Sequence, residues 1–93
     1  MDLNELLEKL NTFWDSTEAT EEEEGRWWFD CFDEKVREIT DLLWGYLFIG
    51  SHWNHETRMF LKEHGYRCWV GDGDSFGILV ACITKDGKNL SIG

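Results

Sequence analysis

Residues 20–50 of this chain read TEEEEGRWWFDCFDEKVREITDLLWGYLFIG, and the rest of the sequence is best interpreted from this stretch. It begins with four consecutive glutamates, passes through a Trp-Trp-Phe cluster and ends almost entirely apolar. Thr20 followed by Glu23 is a capping signal for a helix start, and glutamates in a first turn favour the positive end of a helix. The stretch therefore predicts one long helix over residues 20–49, with a break near Gly45.

The apolar and acidic residues of this predicted helix recur at a spacing of three and four, which places them on two different faces. The predicted core face runs through Phe32, Val36, Ile39 and Leu43. The predicted acidic face runs through Asp30, Glu34, Glu38 and Asp41. Trp27, Trp28 and Phe29 diverge by about 100° from one residue to the next on a helix. We therefore expect at least one of these rings to be exposed and available to a partner.

The flanking sequence completes a single α+β domain over residues 1–93. Asp2 with Glu5 caps a predicted helix over residues 2–14, and Ser51 or Asn54 starts a third helix over residues 53–64 that Gly65 ends. β-prone residues follow at 66–70, 76–83 and 88–92, with Asp86-Gly87 supplying a type I′ turn. We predict three N-terminal helices (2–14, 20–49, 53–64) followed by a three-stranded antiparallel β-meander (66–70, 76–83, 88–92), with 88–92 as its edge strand.

Charge is distributed unevenly along the chain. The 93 residues carry a net charge of −10. Residues 1–50 contain 14 acidic and 4 basic residues, whereas residues 51–93 contain 5 of each, so the first half carries all of the net charge. A field of this sign repels nucleic acids and anionic membranes and attracts basic surfaces. Direct binding to DNA, RNA or a membrane is therefore not expected.

Cysteine usage and the amino terminus favour a cytoplasmic location. Cys31, Cys68 and Cys82 are an odd number without a C-x-x-C pair, which is typical of reduced thiols, and Cys31 and Cys82 have the apolar neighbours of core residues. Residues 1–10 lack the basic and apolar regions of a signal peptide.

No catalytic or cofactor motif is present. His52, His55, His64 and Cys68 have a loosely finger-like spacing. The intervening helix, about 15 Å long at 1.5 Å per residue, separates the first pair from the second and disfavours one zinc site. We expect neither an enzyme nor a bound metal or cofactor.

The acidic face and the tryptophans together predict a protein-binding surface. Carboxylates three or four residues apart on a helix lie about 5–6 Å from one another, a spacing that imitates nucleic-acid phosphates. The predicted partner-binding residues are Glu21, Glu22, Glu24, Trp27, Trp28, Asp30, Glu34, Glu38 and Asp41. The expected partner is a basic protein surface, such as that of a nucleic-acid-binding enzyme. Two alternatives stay open. One is a solvated helix face with no partner, and the other is a structural protein that forms a homo-oligomer through its surplus aromatic surface, with the first helix or the edge strand Lys88–Ile92 at the contact.

In its small size, its acidity and its lack of catalytic residues, the chain is similar to small phage or mobile-element proteins that block host enzymes. Anti-CRISPR proteins, anti-restriction DNA mimics and nuclease immunity proteins are of this kind. The similarity is one of composition and transfers no residues. It implies a non-catalytic inhibitor that acts in the host cytoplasm.

Overall fold

A computed structural model describes residues 2–48, 52–72 and 79–92. These residues form three helices, a five-stranded sheet and a separate two-stranded sheet. The helices are α1 (Leu3–Ser16), α2 (Glu34–Trp44) and α3 (His55–Glu63). The strands are β1 (Thr20–Glu23), β2 (Arg26–Trp28), β3 (Leu47–Phe48), β4 (His52–Trp53), β5 (Arg67–Asp72), β6 (Leu79–Lys85) and β7 (Lys88–Ile92). The α+β class is therefore confirmed.

The large sheet has the order β1-β2-β7-β6-β5. β5, β6 and β7 are antiparallel neighbours, as the meander prediction requires. β7 also pairs in parallel with β2, through Trp27 opposite Lys88 and Trp28 opposite Asn89. The prediction that residues 88–92 form an edge strand was therefore wrong. β7 lies between two strands, and Leu90 and Ile92 are fully buried.

The helix that was expected over residues 20–49 is present only as α2. Asp33 begins it, because its carboxylate accepts a hydrogen bond from the Lys35 backbone N–H at 2.8 Å, and Gly45 ends it. Residues 20–28 form a β-hairpin instead. The prediction was wrong there because the capping signal at Thr20 is a local preference, whereas pairing with β7 is a tertiary contact that local sequence does not show.

The other two helices confirm their predictions. Asp2 caps α1 by accepting from the Glu5 N–H at 2.9 Å, and Asn54 caps α3. Gly65 follows α3 with a φ of +88°, the left-handed conformation expected after a helix. The Asp86-Gly87 turn also has the predicted positive φ angles, 52° and 78°. Gly71 and Asp72, which follow the predicted strand 66–70, belong to β5. Residues 73–78, which include the start of the predicted strand 76–83, lie outside the described residues.

The hydrophobic core lies between the helices and one face of the large sheet. Its sheet side includes Ala81, Ile83, Leu90 and Ile92, and its centre is aromatic. The Phe29 ring lies 4.7 Å from the Phe13 ring and 4.9 Å from the Trp14 ring, measured between centroids. Cys31 and Phe32 were expected in the core, but they lie before the start of α2 and are exposed.

Within the described ranges, none of the helices has the length and apolarity needed to cross a membrane.

Candidate functional site

The predicted partner-binding residues lie on a hairpin, a loop and a helix rather than on one helix. We call residues 18–41 the acidic segment. β1 and β2 form its hairpin, joined by Glu24 and Gly25, and Gly25 has a φ of +77° that a side chain would disfavour. All four residues of β1 are exposed. Glu21 lies directly opposite Trp27, and the strand register shifts between Glu21 and Glu23, which marks a bulge.

The two adjacent tryptophans point to opposite faces of the sheet, because successive side chains alternate along a strand. Trp28 lies on the face away from the helices, where its ring meets the Trp69 ring at a centroid distance of 6.5 Å. Trp27 shares the helix side with buried Phe29, yet 43% of Trp27 is exposed. The expectation that at least one ring of this triplet is exposed is therefore confirmed for Trp27.

Two bonds to β7 hold the hairpin in place. The Asn89 side-chain N–H donates to the Trp27 carbonyl at 3.0 Å. The Phe29 backbone N–H donates to the Asn89 carbonyl at 3.0 Å. Trp27 is thus an exposed ring on a positioned strand, which reduces the entropy cost of using it as a binding anchor.

Phe32 is the residue that sequence reasoning missed. It was predicted to be in the core, but 84% of it is exposed. The Asp30 carboxylate accepts from the Phe32 backbone N–H at 2.9 Å, so a local turn presents the ring just before Asp33 caps α2. The signal for this was the pair of aspartates at positions 30 and 33, since Asp favours both turns and helix N-caps.

The acidic residues of α2 are where the spacing predicted. Glu34, Glu38 and Asp41 are all exposed, while Val36 and Ile39 are buried. Asp30 belongs to the loop and not to the helix, so the continuous row of carboxylates from position 21 to position 41 does not exist. The residues form two acidic groups, one on the hairpin and one on α2, with Asp30 and Phe32 in the connection between them.

Charge dominates the acidic segment. It contains ten acidic and three basic residues, a net charge of −7. The described residues contain one ion pair, in which an Arg26 guanidinium nitrogen lies 3.7 Å from a Glu23 carboxylate oxygen. Both side chains are mostly exposed. Such an exposed pair contributes roughly 0–1 kcal/mol and is easily exchanged. Asp30 and Asp33 accept backbone hydrogen bonds, and the exposed glutamates of the segment other than Glu23 can meet external cations.

A groove of about 620 Å³ adjoins this segment between α1 and α2. Phe13, Ile39 and Leu42 line it, with Lys9 and Lys35 among its polar residues. Thr17 also lines this groove. Its buried hydroxyl has no hydrogen-bond partner among the described residues.

The histidines and cysteines of the described residues do not assemble into a metal centre. The described part of the chain contains no group of three or more His, Cys, Asp or Glu side chains that could hold a metal ion. Burial raises the pKa of the Cys68 thiol to about 12, an effect that Arg58 partly offsets. Burial likewise raises the pKa of Cys82 to about 11, opposed by a hydrogen bond with Ser91. Both thiols are therefore protonated and inert at neutral pH.

Comparison with protein-family models, with curated proteins and with solved structures gives no match to this chain.

Proposed function

We propose that the protein is a non-catalytic binding protein that occupies a basic, nucleic-acid-handling surface of another protein and so inhibits it. The observation that supports this most directly is the placement of two exposed aromatic rings, Trp27 and Phe32, within the acidic segment. Its carboxylates offer long-range attraction to lysines and arginines. The rings offer the desolvated contacts that acidic groups alone do not provide.

Charge and aromatic contacts act on different steps of binding. Unpaired carboxylates accelerate encounter with a basic partner, and this acceleration weakens with salt. Aromatic anchors that become buried slow dissociation. We therefore expect charge substitutions to lower the association rate, and Trp27→Ala or Phe32→Ala to raise the dissociation rate.

Three double variants with the same change in charge test the proposal. Glu21→Lys/Glu22→Lys alters the hairpin, and Glu38→Lys/Asp41→Lys alters α2. Glu56→Lys/Glu63→Lys alters α3, outside the acidic segment, and is the matched control. All six positions are exposed, so the fold should persist, which circular dichroism would verify.

The measurement is capture of proteins from a host lysate on immobilised protein, followed by elution with duplex DNA or with salt. We expect nucleic-acid-binding proteins to be retained, released by DNA, and lost from the hairpin or α2 variant but not from the α3 control. Equal retention by all three variants, or a captured partner that DNA does not displace, would contradict the proposal.

A second candidate is self-association. Trp44 and Phe48, at and just beyond the end of α2, are 46% and 49% exposed, and such rings are frequent interface anchors. Light scattering decides between the two: a dimer that Trp44→Ala disrupts supports assembly, whereas a monomer supports a separate partner.

A further inference from the structure

β1 is an edge strand without a neighbour on its outer side. Its backbone pairs with β2, and the sheet order places no described strand beyond it. All four of its residues are exposed, and β2 is the one described strand that pairs with it. An uncovered edge presents unpaired N–H and C=O groups that can bind another strand.

The opposite edge of the sheet differs. There the Trp53 indole N–H donates to the Trp69 carbonyl of β5 at 3.2 Å, and β4 and α3 lie alongside β5. Among the described residues, no side chain bonds to the backbone of β1 in this way. Of the two edges, β1 is therefore the one open to an added strand.

The charge of β1 decides which strand can be added. Glu21, Glu22 and Glu23 are consecutive, and Glu24 follows them at the turn. If β1 of a second copy paired here, glutamates would oppose glutamates, and like charges across a strand pair are destabilising. A strand that carries lysine or arginine would instead form favourable cross-strand pairs. The same glutamates thus disfavour self-pairing and favour a basic partner.

We propose that the β1 edge binds an extended basic segment of a partner protein, which adds as a sixth strand beside β1. Backbone hydrogen bonds supply affinity in this mode, and side-chain contacts supply selectivity. A long cationic side chain of the added strand pairs with Glu21 and reaches toward the exposed ring of Trp27, the residue opposite Glu21 on β2, because the face of an aromatic ring attracts cations. This inference rests on the proposed function and specifies how its hairpin is used.

The test uses a nine-residue synthetic peptide in which lysine alternates with threonine or valine. Two control peptides have the same sequence but carry backbone N-methyl groups, one at the odd and one at the even positions. Each control has the charge of the parent but loses the hydrogen-bond donors along one edge. Only one of the two edges can face β1.

We expect the parent peptide to bind in 150 mM salt and to protect β1 amide protons from hydrogen exchange. One N-methylated peptide should bind roughly 5- to 150-fold more weakly, the ratio expected for the loss of two backbone hydrogen bonds. The other should resemble the parent. Glu21→Lys/Glu22→Lys should abolish binding, and Glu56→Lys/Glu63→Lys should leave it unchanged.

Three results would overturn the inference. In the first, all three peptides bind with equal affinity and Glu21→Lys/Glu22→Lys weakens the binding of each. The carboxylates then act without strand pairing, so the strand-addition proposal fails while the proposed function stands. No binding of the parent peptide also refutes the strand mode, while lysate capture still decides the proposed function separately. Protection of β1 in the absence of peptide, together with a dimer in solution, would show that a second copy occupies the edge.

Discussion

Phe29 and Phe32 are three residues apart and give the most direct test of the fold. On a continuous helix they would share a face and have similar burial. In the structure, Phe29 is 4% exposed and packs against Phe13 and Trp14, whereas Phe32 is 84% exposed. Replacing each by alanine should therefore have very different effects on stability.

The expected magnitudes follow from these contacts. Burying a Phe side chain contributes about 1.5–3 kcal/mol, and each aromatic pair adds about 0.5–1.5 kcal/mol. Phe29→Ala should thus lower the free energy of unfolding by about 3–5 kcal/mol, the range for such core deletions. Phe32→Ala should change it by less than about 0.5 kcal/mol, as for other exposed positions. These values correspond to a decrease in Tm of at least about 12 °C for Phe29→Ala and a change of less than about 4 °C for Phe32→Ala.

Urea and thermal denaturation followed by circular dichroism measure both values. Domains of this size have a total stability of about 5–14 kcal/mol, so Phe29→Ala can leave too little folded protein to analyse. Phe29→Leu, which retains part of the buried volume, then serves as the milder core variant. A loss of more than about 2 kcal/mol for Phe32→Ala, or a negligible loss for both Phe29 variants, would refute the hairpin and restore the continuous helix.

Three further predictions concern other parts of the molecule. A Cβ at Gly71 would overlap Cζ3 of the Trp69 ring and lie 3.2 Å from its Cε3, so Gly71→Ala should cost about 1–3 kcal/mol in denaturation experiments, and an unchanged midpoint would contradict this packing. Burial, with smaller effects of Asp15 and Asp86, raises the pKa of Tyr66 from 10.0 to about 12. The folded state therefore favours the neutral phenol, and the stability it contributes is complete below pH 10 and is lost as the pH rises toward 12. Absorbance at 295 nm should show a tyrosine that ionises near pH 12 in the native protein, and this transition should be absent from Tyr66→Phe. Ionisation of Tyr66 near pH 10 without unfolding would argue against its burial. Cys31 is exposed while Cys68 and Cys82 are buried, so Ellman's reagent should modify one thiol rapidly in native protein and three in urea, and rapid reaction of all three would contradict the core.

The parts of the fold that local sequence predicts correctly depend on short-range physics. The face of α1 and its Asp2 cap, the Asn54 cap of α3 and the Asp86-Gly87 turn all involve residues within one turn of one another. The core line of α2 through Val36, Ile39 and Leu43 is correct for the same reason. Its extension to Phe32 is wrong because Asp33 already begins the helix.

The hairpin could not be predicted because its stability comes from distant residues. Nothing near Trp27 in the sequence identifies Lys88 or Asn89 as its strand neighbours. Four consecutive glutamates are compatible with the first turn of a helix and equally with a solvent-exposed edge strand, so composition does not discriminate between these two structures. Of the candidate site, the acidic residues and the exposed tryptophan could be predicted, whereas their division into two groups and the exposure of Phe32 could not.

The central position of β7 has a consequence for synthesis. It is the last of these elements to be made, yet it joins the hairpin to β6, and Asn89 bonds to a residue 62 positions earlier. The entropy cost of closing a loop of this length arises before the stabilising contacts form, and strand pairing between such distant residues is therefore slow. On the ribosome the hairpin therefore emerges before β7, and during that interval Trp27 and Trp28 lack their neighbouring strand. The run of glutamates beside them would keep neighbouring nascent chains apart during that interval, and chaperones that bind exposed aromatic residues would have time to engage the hairpin before the sheet closes.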